Sequence, residues 1–307
     1  MPIQHGKILD ILLSATTKSE SLANRVILVT GASGIIGLCV IAFALARGAT
    51  VCGMYHSRLV DFAHPRLRWI KCDLNGEPDS TFTGKVDIMI HTAALWLFPK
   101  AWTKFPLVEI DRVIAFGSTS IFSKMGTQSR AEQAMINQLL DAEKSYFALA
   151  RSANATLFRP TMIYGLGLDA NISRLAKVIQ FCGVLPVYGD ASGLRQPVQA
   201  MDLAKAALDV VDVPATFGKT YNLGGGEVLS YRSMIDRLFR YLGRQPFVLR
   251  VPFLAPMLDL LEAIFPSSNI NGEMLRRMNR DLVFDLHPAA DDFRYSPAGF
   301  LEGTILF

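Results

Sequence analysis

The chain has 307 residues, and its hydrophobic content of 50% excludes a disordered or collagen-like protein. A chain of this length buries roughly 75% of its unfolded surface, so its core needs neither disulfides nor a metal. Its net charge of +4, without a run of five like charges, argues against a nucleic-acid partner. At about 150 residues per domain, this length predicts one large domain or two small ones.

The cysteines stand singly, without a Cys-x-x-Cys pair, so we expect reduced core thiols in a cytoplasmic protein and no metal site. Mean hydropathy is +0.28, high enough to require a search for membrane spans. An apolar stretch at 247–265 contains three charged residues and two prolines, which argues against a transmembrane helix. The cysteines are Cys39, Cys52, Cys72 and Cys182.

Strand-like and helix-like segments alternate along the first half of the chain. Residues 1–24 are predicted to form an N-terminal extension with a short amphipathic helix at 6–15. The stretch 38–47 is apolar nearly all round, as expected for a helix packed on a sheet. Short apolar runs alternating with helices predict an α/β fold with a doubly wound parallel sheet. The predicted strands cover 25–29, 50–54, 68–71, 86–90, 112–116 and 155–158, and a long helix covers about 129–151.

A glycine-rich loop joins the strand at 25–29 to the helix that follows it. Residues 30–37 read Thr-Gly-Ala-Ser-Gly-Ile-Ile-Gly. Glycine allows a tight turn and close backbone approach, and the helix start presents free N–H groups to a pyrophosphate. Because the strand and the helix are both in place, we interpret the loop as a dinucleotide site, with a purely structural turn as the alternative. The candidate contacts are Thr30, Gly31, Ser33, Gly34, Ile35, Ile36 and Gly37.

The pattern changes after Pro160, where helices are separated by loops rich in glycine and proline. This change favours a smaller C-terminal part packed on the first. We therefore divide the chain into an N-terminal extension (1–24), a dinucleotide-binding Rossmann domain (25–165) and a mostly substrate-binding part (166–307), some of which returns to the sheet. The predicted helices of the last part cover about 171–182, 201–211, 230–242 and 256–264.

Further motifs follow the glycine-rich loop in a fixed order. They are Cys72-Asp73-Leu74, His91-Thr92-Ala93-Ala94, the segment 116–122 (Phe-Gly-Ser-Thr-Ser-Ile-Phe), the segment 158–165 (Phe-Arg-Pro-Thr-Met-Ile-Tyr-Gly), the segment 193–204 with Arg195 and Asp202, and Tyr221-Asn222-Leu223-Gly224. Together with a Gly-x-x-Gly-x-x-Gly loop, this series resembles the extended short-chain dehydrogenase/reductases, the nucleotide-sugar epimerase/dehydratase family. The resemblance covers roughly residues 25–245.

The resemblance implies a nicotinamide dinucleotide cofactor and assigns further contacts to it. In the family, the Asp of the Asp-Leu motif contacts the adenine ring, and the strand-4 and strand-6 motifs line the cofactor and the nicotinamide. The corresponding residues here are Asp73, Leu74, Thr92, Ala93, Ala94, Pro160, Thr161 and Ile163.

The end of the second strand favours NADP over NAD. An acidic side chain at this point binds the ribose 2′-hydroxyl of NAD, whereas a basic one suits the 2′-phosphate of NADP. Here His56, Ser57 and Arg58 follow the strand, and no carboxylate precedes Asp61. Arg58 is the better phosphate partner. The alternative is that Arg58 is a solvated loop residue, and NAD stays open.

The catalytic motif departs from the family pattern. The family uses a Ser or Thr after strand 5 and a Tyr-x-x-x-Lys pair on the next helix, where the Tyr moves the proton of the sugar hydroxyl. Ser118 matches the first position, but no Tyr-x-x-x-Lys pair occurs between 118 and 158. With the helix aligned on Glu143, Met135 and Leu139 stand where the Tyr and the Lys are expected. Neither side chain transfers a proton.

Two interpretations of this departure remain open. In the first, Lys124 supplies the cation and Ser118 or Thr119 relays the proton, with Tyr164 as a further candidate. In the second, the site does not catalyse a reaction, and Lys124 is an ordinary surface lysine.

The substrate side is predicted from the same resemblance. Asn171 and Tyr164 follow the Arg-Pro segment, and Arg195 stands where a family arginine clamps a nucleotide-sugar diphosphate. A guanidinium suits this role because it pairs bidentately with phosphate oxygens. Arg276, Arg277 and Arg280 form a basic stretch that either adds a phosphate contact or is a solvated face.

The link between Leu95 and Arg112 is shorter than the family helix that often forms the dimer surface. Its aromatic residues are expected to fill the core or cover the cofactor cleft. This leaves a monomer or a homodimer as the predicted state. The aromatic and apolar residues of the link are Trp96, Leu97, Phe98, Trp102 and Phe105.

The sequence thus predicts an NAD(P)-dependent oxidoreductase of the epimerase, reductase or dehydratase type, acting on a nucleotide-diphosphate sugar. The alternative is a catalytically degenerate dinucleotide-binding protein, a sensor or an assembly factor. A steroid-like or lipid-linked substrate is a weaker alternative, suggested by the apolar stretch 247–265. The fold itself does not distinguish among these reactions.

Overall fold

The computed structural model describes residues 5–76, 85–104, 109–127, 129–151, 153–253 and 272–303. The strands are β1 (Val26–Thr30), β2 (Thr50–Tyr55), β3 (Leu67–Lys71), β4 (Ile88–His91), β5 (Arg112–Phe116), β6 (Ala155–Pro160), β7 (Ile163–Tyr164), β8 (Leu185–Val187), β9 (Leu194–Arg195), β10 (Val198–Gln199), β11 (Thr220–Leu223), β12 (Leu229–Ser230) and β13 (Val248–Arg250). The helices are α1 (His5–Ala15), α2 (Ile35–Ala46), α3 (Phe98–Thr103), α4 (Ser120–Ser123), α5 (Arg130–Leu149), α6 (Ile172–Cys182), α7 (Ala200–Asp209), α8 (Tyr231–Tyr241), α9 (Gly272–Arg276) and α10 (His287–Phe293).

One seven-stranded sheet forms the centre of the molecule, in the order β11-β6-β5-β4-β1-β2-β3. Every pairing within it is parallel. β1 lies inside the sheet, between β4 and β2, and is buried from Ile27 to Thr30, which explains its continuous apolar run. The strand order reverses between β1 and β4, so a crevice opens at the carboxyl ends of these strands. The predicted doubly wound parallel sheet is confirmed.

α2 lies between the sheet and the helices α1 and α7. All of its residues from Ile36 to Ala46 are buried, since it has neighbours on every side. This explains why the helix is apolar nearly all round. The predicted N-terminal helix is also confirmed, and Ile8, Leu9 and Leu12 of α1 are fully buried. The N-terminal extension therefore belongs to the main core.

The opposite face of the sheet carries α3 and α5. Tyr146 of α5 is fully buried, and its hydroxyl lies 2.8 Å from the carbonyl oxygen of Thr156 and 3.0 Å from that of Val113. The ring of Phe98 packs edge-on against Tyr146 at 4.8 Å between centroids. Burial raises the pKa of the Tyr146 hydroxyl far above its usual value. This tyrosine stabilises the fold and takes no part in proton transfer.

The C-terminal part has its own apolar core, built on α6, α8 and the short strands β8, β9, β12 and β13. α6 ends at Gly183, whose φ of +71° gives the left-handed turn that glycine adopts at low cost. One strand of this part of the chain belongs to the central sheet. β11 is the edge strand next to β6, and α7 packs on α2.

Several elements differ from the predicted ones. Strands of two or three residues, such as β7 and β9, were not predicted, because a dipeptide carries no periodicity. Trp96 is more than one-third exposed and does not fill the core, unlike Phe98. Cys182 is exposed at the end of α6, so the expectation of a core thiol was wrong for it, while the other cysteines are buried. The helix predicted at 256–264 and Phe105 lie outside the described residues.

No helix among the described residues is both long enough and apolar enough to cross a bilayer.

Candidate functional site

The predicted cofactor residues lie at one edge of the sheet. Thr30 ends β1, His56 follows β2, Asp73 follows β3, Thr92 follows β4 and Thr161 follows β6. The carboxyl ends of parallel strands share an edge, so these segments surround the crevice at the strand-order reversal.

Two glycines of the phosphate loop are required by close backbone contacts. Gly31 has a φ of +71°, and a Cβ there would lie 2.5 Å from the backbone nitrogen of Ala93. A Cβ at Gly37 would lie 2.5 Å from the carbonyl oxygen of Gly31, which sets how closely α2 approaches the loop. These glycines leave a backbone cradle that a pyrophosphate fits, with the start of α2 behind it. The loop thus suits a dinucleotide.

His91 ties the ends of β1 and β4 together. Its Nδ1 lies 2.7 Å from Oγ1 of Thr30, and its Nε2 lies 3.2 Å from the carbonyl oxygen of Ala94. Burial lowers the pKa of His91 to about 4, so the ring is neutral near pH 7. Nε2–H therefore donates to Ala94, and Nδ1 accepts from Thr30. The Thr92 hydroxyl donates to the Thr30 carbonyl at 2.8 Å, and the two strand ends are held in one geometry.

Basic and acidic side chains meet at the ends of β2 and β3. His56 Nε2 lies 3.6 Å from a carboxylate oxygen of Asp73, and both side chains are exposed. Arg58 is exposed and reaches His5 of α1, with 3.3 Å between its Nη1 and Nε2 of the ring. The structure thus gathers the predicted NADP-selecting residues at one point, together with a histidine that the sequence did not indicate.

A cavity of about 450 Å³ opens between the sheet edge and the C-terminal part. It brings together residues predicted for catalysis, cofactor and substrate from five separate segments. Among the described residues that line it, the charged ones are all cations: Lys124, Arg174, Arg195 and Arg277. Its other predicted residues are Ser118, Thr119, Thr161, Ile163 and Asn171.

Ser118 and Thr119 differ in their availability to a ligand. Thr119 is buried, and its hydroxyl donates to the carbonyl oxygen of Pro160 at 3.0 Å. Ser118 is half-buried, and its hydroxyl donates to Ser120 Oγ at 2.9 Å while accepting from the Ser120 N–H at 3.1 Å. Both line the cavity, but only Ser118 holds its hydroxyl in a side-chain network that a substrate oxygen can enter.

Lys124 is held in an ion network that the sequence did not reveal. Its ammonium lies 3.2 Å from Glu132, and Glu132 also receives both Nη groups of Arg277, at 2.8 and 2.9 Å. Thr127 donates to the same carboxylate at 2.8 Å. These contacts outweigh burial and lower the pKa of Glu132 to about 2. Lys124 is therefore a fixed cation on the cavity wall, and not a solvated surface lysine.

α5 carries other side chains at the two positions where the resemblance places the catalytic pair. Met135 lies beside Lys124, with 3.9 Å between its sulfur and Nζ, and Leu139 is buried. One turn further on, Glu143 pairs with Arg159 of β6 through both of its carboxylate oxygens. Among the described residues that line the cavity, Tyr231 is the single tyrosine.

Arg195 is buried almost completely, at 3% exposure, yet it lines the cavity. Its guanidinium donates to three backbone carbonyls, those of Leu194, Arg277 and Arg280. It lies 5.2 Å from the ring centre of Tyr231. Burial lowers the pKa of Arg195 to about 10, which keeps it charged at neutral pH, and its Nε has no hydrogen-bond partner. A buried, incompletely paired guanidinium favours an anionic ligand.

Two further predicted residues are placed differently. Asn171 lies at the cavity, directly before α6, but its side chain makes no capping hydrogen bond. Asp169 accepts from the Ser173 N–H at 3.0 Å instead. Tyr164 is fully buried, and its hydroxyl accepts from the Leu301 N–H at 3.0 Å and lies 3.4 Å from the Gly299 carbonyl oxygen. Burial raises the pKa of Tyr164 to about 12. The structure therefore places Tyr164 in the core and does not bring it to the cavity.

The basic stretch near the C-terminus is divided by the fold. Arg277 lines the cavity, whereas Arg276 pairs with Glu273 at 3.1 Å and Arg280 is exposed. Of these three arginines, Arg277 alone is among the described residues that line the cavity, and a phosphate contact stays a prediction.

The sheet order and the phosphate loop define a Rossmann-type dinucleotide-binding fold. The solved epimerase Mth375 from Methanothermobacter thermautotrophicus superposes with a TM-score of 0.69 at 16% identity, over 94% of this chain and 90% of that one. The UDP-glucuronic acid 4-epimerase from Bacillus cereus, in complex with NAD, gives a TM-score of 0.66 at 18% identity, over 89% and 93%. The resemblance predicted from the motifs is confirmed at the level of the fold.

Sequence comparisons find two kinds of relative, a sugar reductase and a subunit of NADH dehydrogenase. A dTDP-4-dehydro-6-deoxy-D-allose reductase from a Streptomyces species is 24% identical over 74% of this chain and 84% of its own length. A mitochondrial NADH dehydrogenase 1 alpha subcomplex subunit 9 from Dictyostelium discoideum is 33% identical over 85 residues. That match covers 28% of this chain and 23% of the subunit, and the subunit of the same description from Arabidopsis thaliana matches over 28% of its length. No protein-family model matches the chain.

Proposed function

We propose that this chain is an NAD(P)-dependent oxidoreductase or epimerase that acts on a nucleotide-diphosphate sugar. The observation that carries this proposal is the cavity between the sheet edge and the C-terminal part. The charged residues among its described lining are four cations: Lys124, Arg174, Arg195 and Arg277. Glu132 offsets one of these four charges. A diphosphate balances the remaining ones and offers the bidentate geometry that guanidinium groups prefer. The reductase and epimerase relatives agree with this class.

A nicotinamide cofactor held by the loop from Thr30 to Gly37 would supply hydride transfer to or from a sugar carbon. Ser118 lines the cavity, and its O–H turns from Ser120 Oγ to donate a hydrogen bond to the reacting sugar oxygen. Lys124 stabilises negative charge on that oxygen as a fixed cation. Arg195 and Arg277 hold the diphosphate, and Asn171 contacts it from the start of α6.

We further propose that the cofactor is NADP(H) rather than NAD(H). Arg58 follows β2 at the place where the adenine ribose of a dinucleotide bound at the loop lies. Its guanidinium suits a 2′-phosphate.

Incubation with NAD⁺ or NADP⁺ and a panel of UDP- and dTDP-sugars tests the proposal, with products resolved by chromatography. We expect conversion of at least one sugar, and at least a 100-fold loss in Ser118→Ala. Arg174→Ala, at an exposed cavity residue, is expected to weaken UDP binding in calorimetry, whereas Arg151→Ala on the outer surface leaves it unchanged. Failure of every nucleotide sugar to bind would overturn the proposal.

A second candidate is a dinucleotide-binding protein without catalysis. Met135 and Leu139 occupy the positions of the proton-transferring pair, and part of the chain is similar to an NADH dehydrogenase subunit. Binding of cofactor and sugar nucleotide without any product would favour this candidate over the enzyme.

A further inference from the structure

The N-terminal helix α1 reaches the end of β2, where the selectivity for the cofactor is set. Its apolar side packs on α2, the helix that follows the phosphate loop. Its first turn packs on the segment after β2, since a Cβ at Gly6 would overlap the carbonyl oxygen of Asp61. The loop itself is tied to β2, because the Ala32 N–H donates to the Met54 carbonyl at 2.9 Å. The phosphate loop, the end of β2 and α1 thus form one packed unit.

His5, the first residue of α1, contacts Arg58 within this unit. The guanidinium Nη1 of Arg58 donates to Nε2 of His5 at 3.3 Å. Burial and the Arg58 charge lower the pKa of His5, so the ring is neutral near pH 7 and acts as the acceptor. The contact holds a long, mobile side chain by its end, which reduces the entropy that Arg58 loses when it binds a ligand.

Neither residue of this pair is balanced by an acidic group. Among the ion pairs of the described residues, Arg58 and His5 meet no carboxylate, whereas the neighbouring His56 is paired with Asp73. A fixed guanidinium without a carboxylate, at the end of β2, is complementary to an anion carried on the adenine ribose.

We propose that α1 is part of the cofactor site and that His5 is the positioning residue that orients Arg58 for the 2′-phosphate of NADP(H). This inference rests on the proposed function, because it assumes that a dinucleotide occupies the loop and that this dinucleotide is NADP(H). It makes the N-terminal extension a determinant of the choice between NADP and NAD.

Fluorescence titrations of NADPH and NADH against the unaltered protein and four variants test this proposal. Arg58→Ala is expected to weaken NADPH binding about tenfold, the cost of one charge-assisted contact, with NADH unchanged. His5→Ala is expected to weaken NADPH alone about threefold to fivefold, because Arg58 then has to be ordered by the ligand. Lys7→Ala, at an exposed position on the same helix, is the matched control and leaves both affinities unchanged. His5→Asn retains an acceptor and is expected to restore part of the NADPH affinity.

The ratio of the two affinities separates positioning from a merely structural effect. Equal losses of NADPH and NADH in His5→Ala would overturn the proposal, because they indicate a damaged fold. A loss of NADPH affinity in Arg58→Ala without a loss in His5→Ala would also overturn the proposal for His5. The proposed selectivity for NADP would then still stand. Failure of both nucleotides to bind the unaltered protein would overturn the proposed function together with this inference.

Discussion

At the scale of single residues, the phosphate loop depends on backbone positions that tolerate no side chain. Gly31 combines a positive φ with a close approach to the backbone after β4. Positive φ alone costs an ordinary residue about 1–2 kcal/mol. The contact with Ala93 adds a steric cost, since neither backbone segment moves without shifting a strand of the central sheet.

Replacing Gly31 by Ala is therefore expected to destabilise the protein more than the same change at Gly243. The two glycines have φ values of +71° and +70°, but a Cβ at Gly243 would meet nothing within 4 Å. We expect a loss of about 1–2 kcal/mol in Gly243→Ala, and a loss several kcal/mol larger in Gly31→Ala with dinucleotide binding abolished. Urea unfolding and NADH titration measure both effects. Equal losses in the two variants would show that the Ala93 contact is unimportant.

At the scale of elements, the Glu132–Arg277 pair joins α5 to the turn that follows α9. Both side chains are only 11% exposed, and the carboxylate is bidentate to the guanidinium. Removing one partner of such a pair leaves a buried charge without compensation. Lys124 loses its partner at the same time, so the arrangement of the cavity wall depends on this one carboxylate.

Glu132→Gln is expected to cost about 3–5 kcal/mol of unfolding free energy. Asp141→Asn on the same helix is the control, because its pair with Lys144 is almost fully exposed, and we expect about 0–1 kcal/mol. The folded-state pKa of Glu132 is depressed to about 2 from 4.5, so its contribution is present above pH 4.5 and is lost as the pH falls toward 2. In urea titrations from pH 7 to pH 3, the free energies of unfolding of Glu132→Gln and of the unaltered protein should converge. A constant difference at all pH values would contradict the charge-based explanation.

At the scale of the whole molecule, the core of the central sheet contains a buried, neutral histidine. His91 lies between the central strands, and its protonation requires a charge inside the core. Its folded-state pKa of about 4 lies below the usual value of 6.5. The stabilisation that follows is present above pH 6.5 and is lost as the pH falls from 6.5 to 4.

From this shift we expect the free energy of unfolding to fall by about 2 kcal/mol between pH 8 and pH 5. His91→Gln should be less stable at pH 8 but should show a smaller loss over the same range. His56→Gln, at an exposed position, should keep the full pH dependence. An unchanged slope in His91→Gln would assign the acid sensitivity to other groups.

The sequence by itself determined the parallel sheet, the phosphate loop and a part of the residues around the cavity. These features are local: apolar runs, glycine spacing and short motifs at strand ends carry them, and the parallel sheet then brings the strand ends to one edge. The tertiary structure alone decided the rest. Glu132 and Arg277 are 145 residues apart, and His5 meets Arg58 across a helix–loop contact. No local periodicity encodes such pairs, because each depends on how separate elements pack.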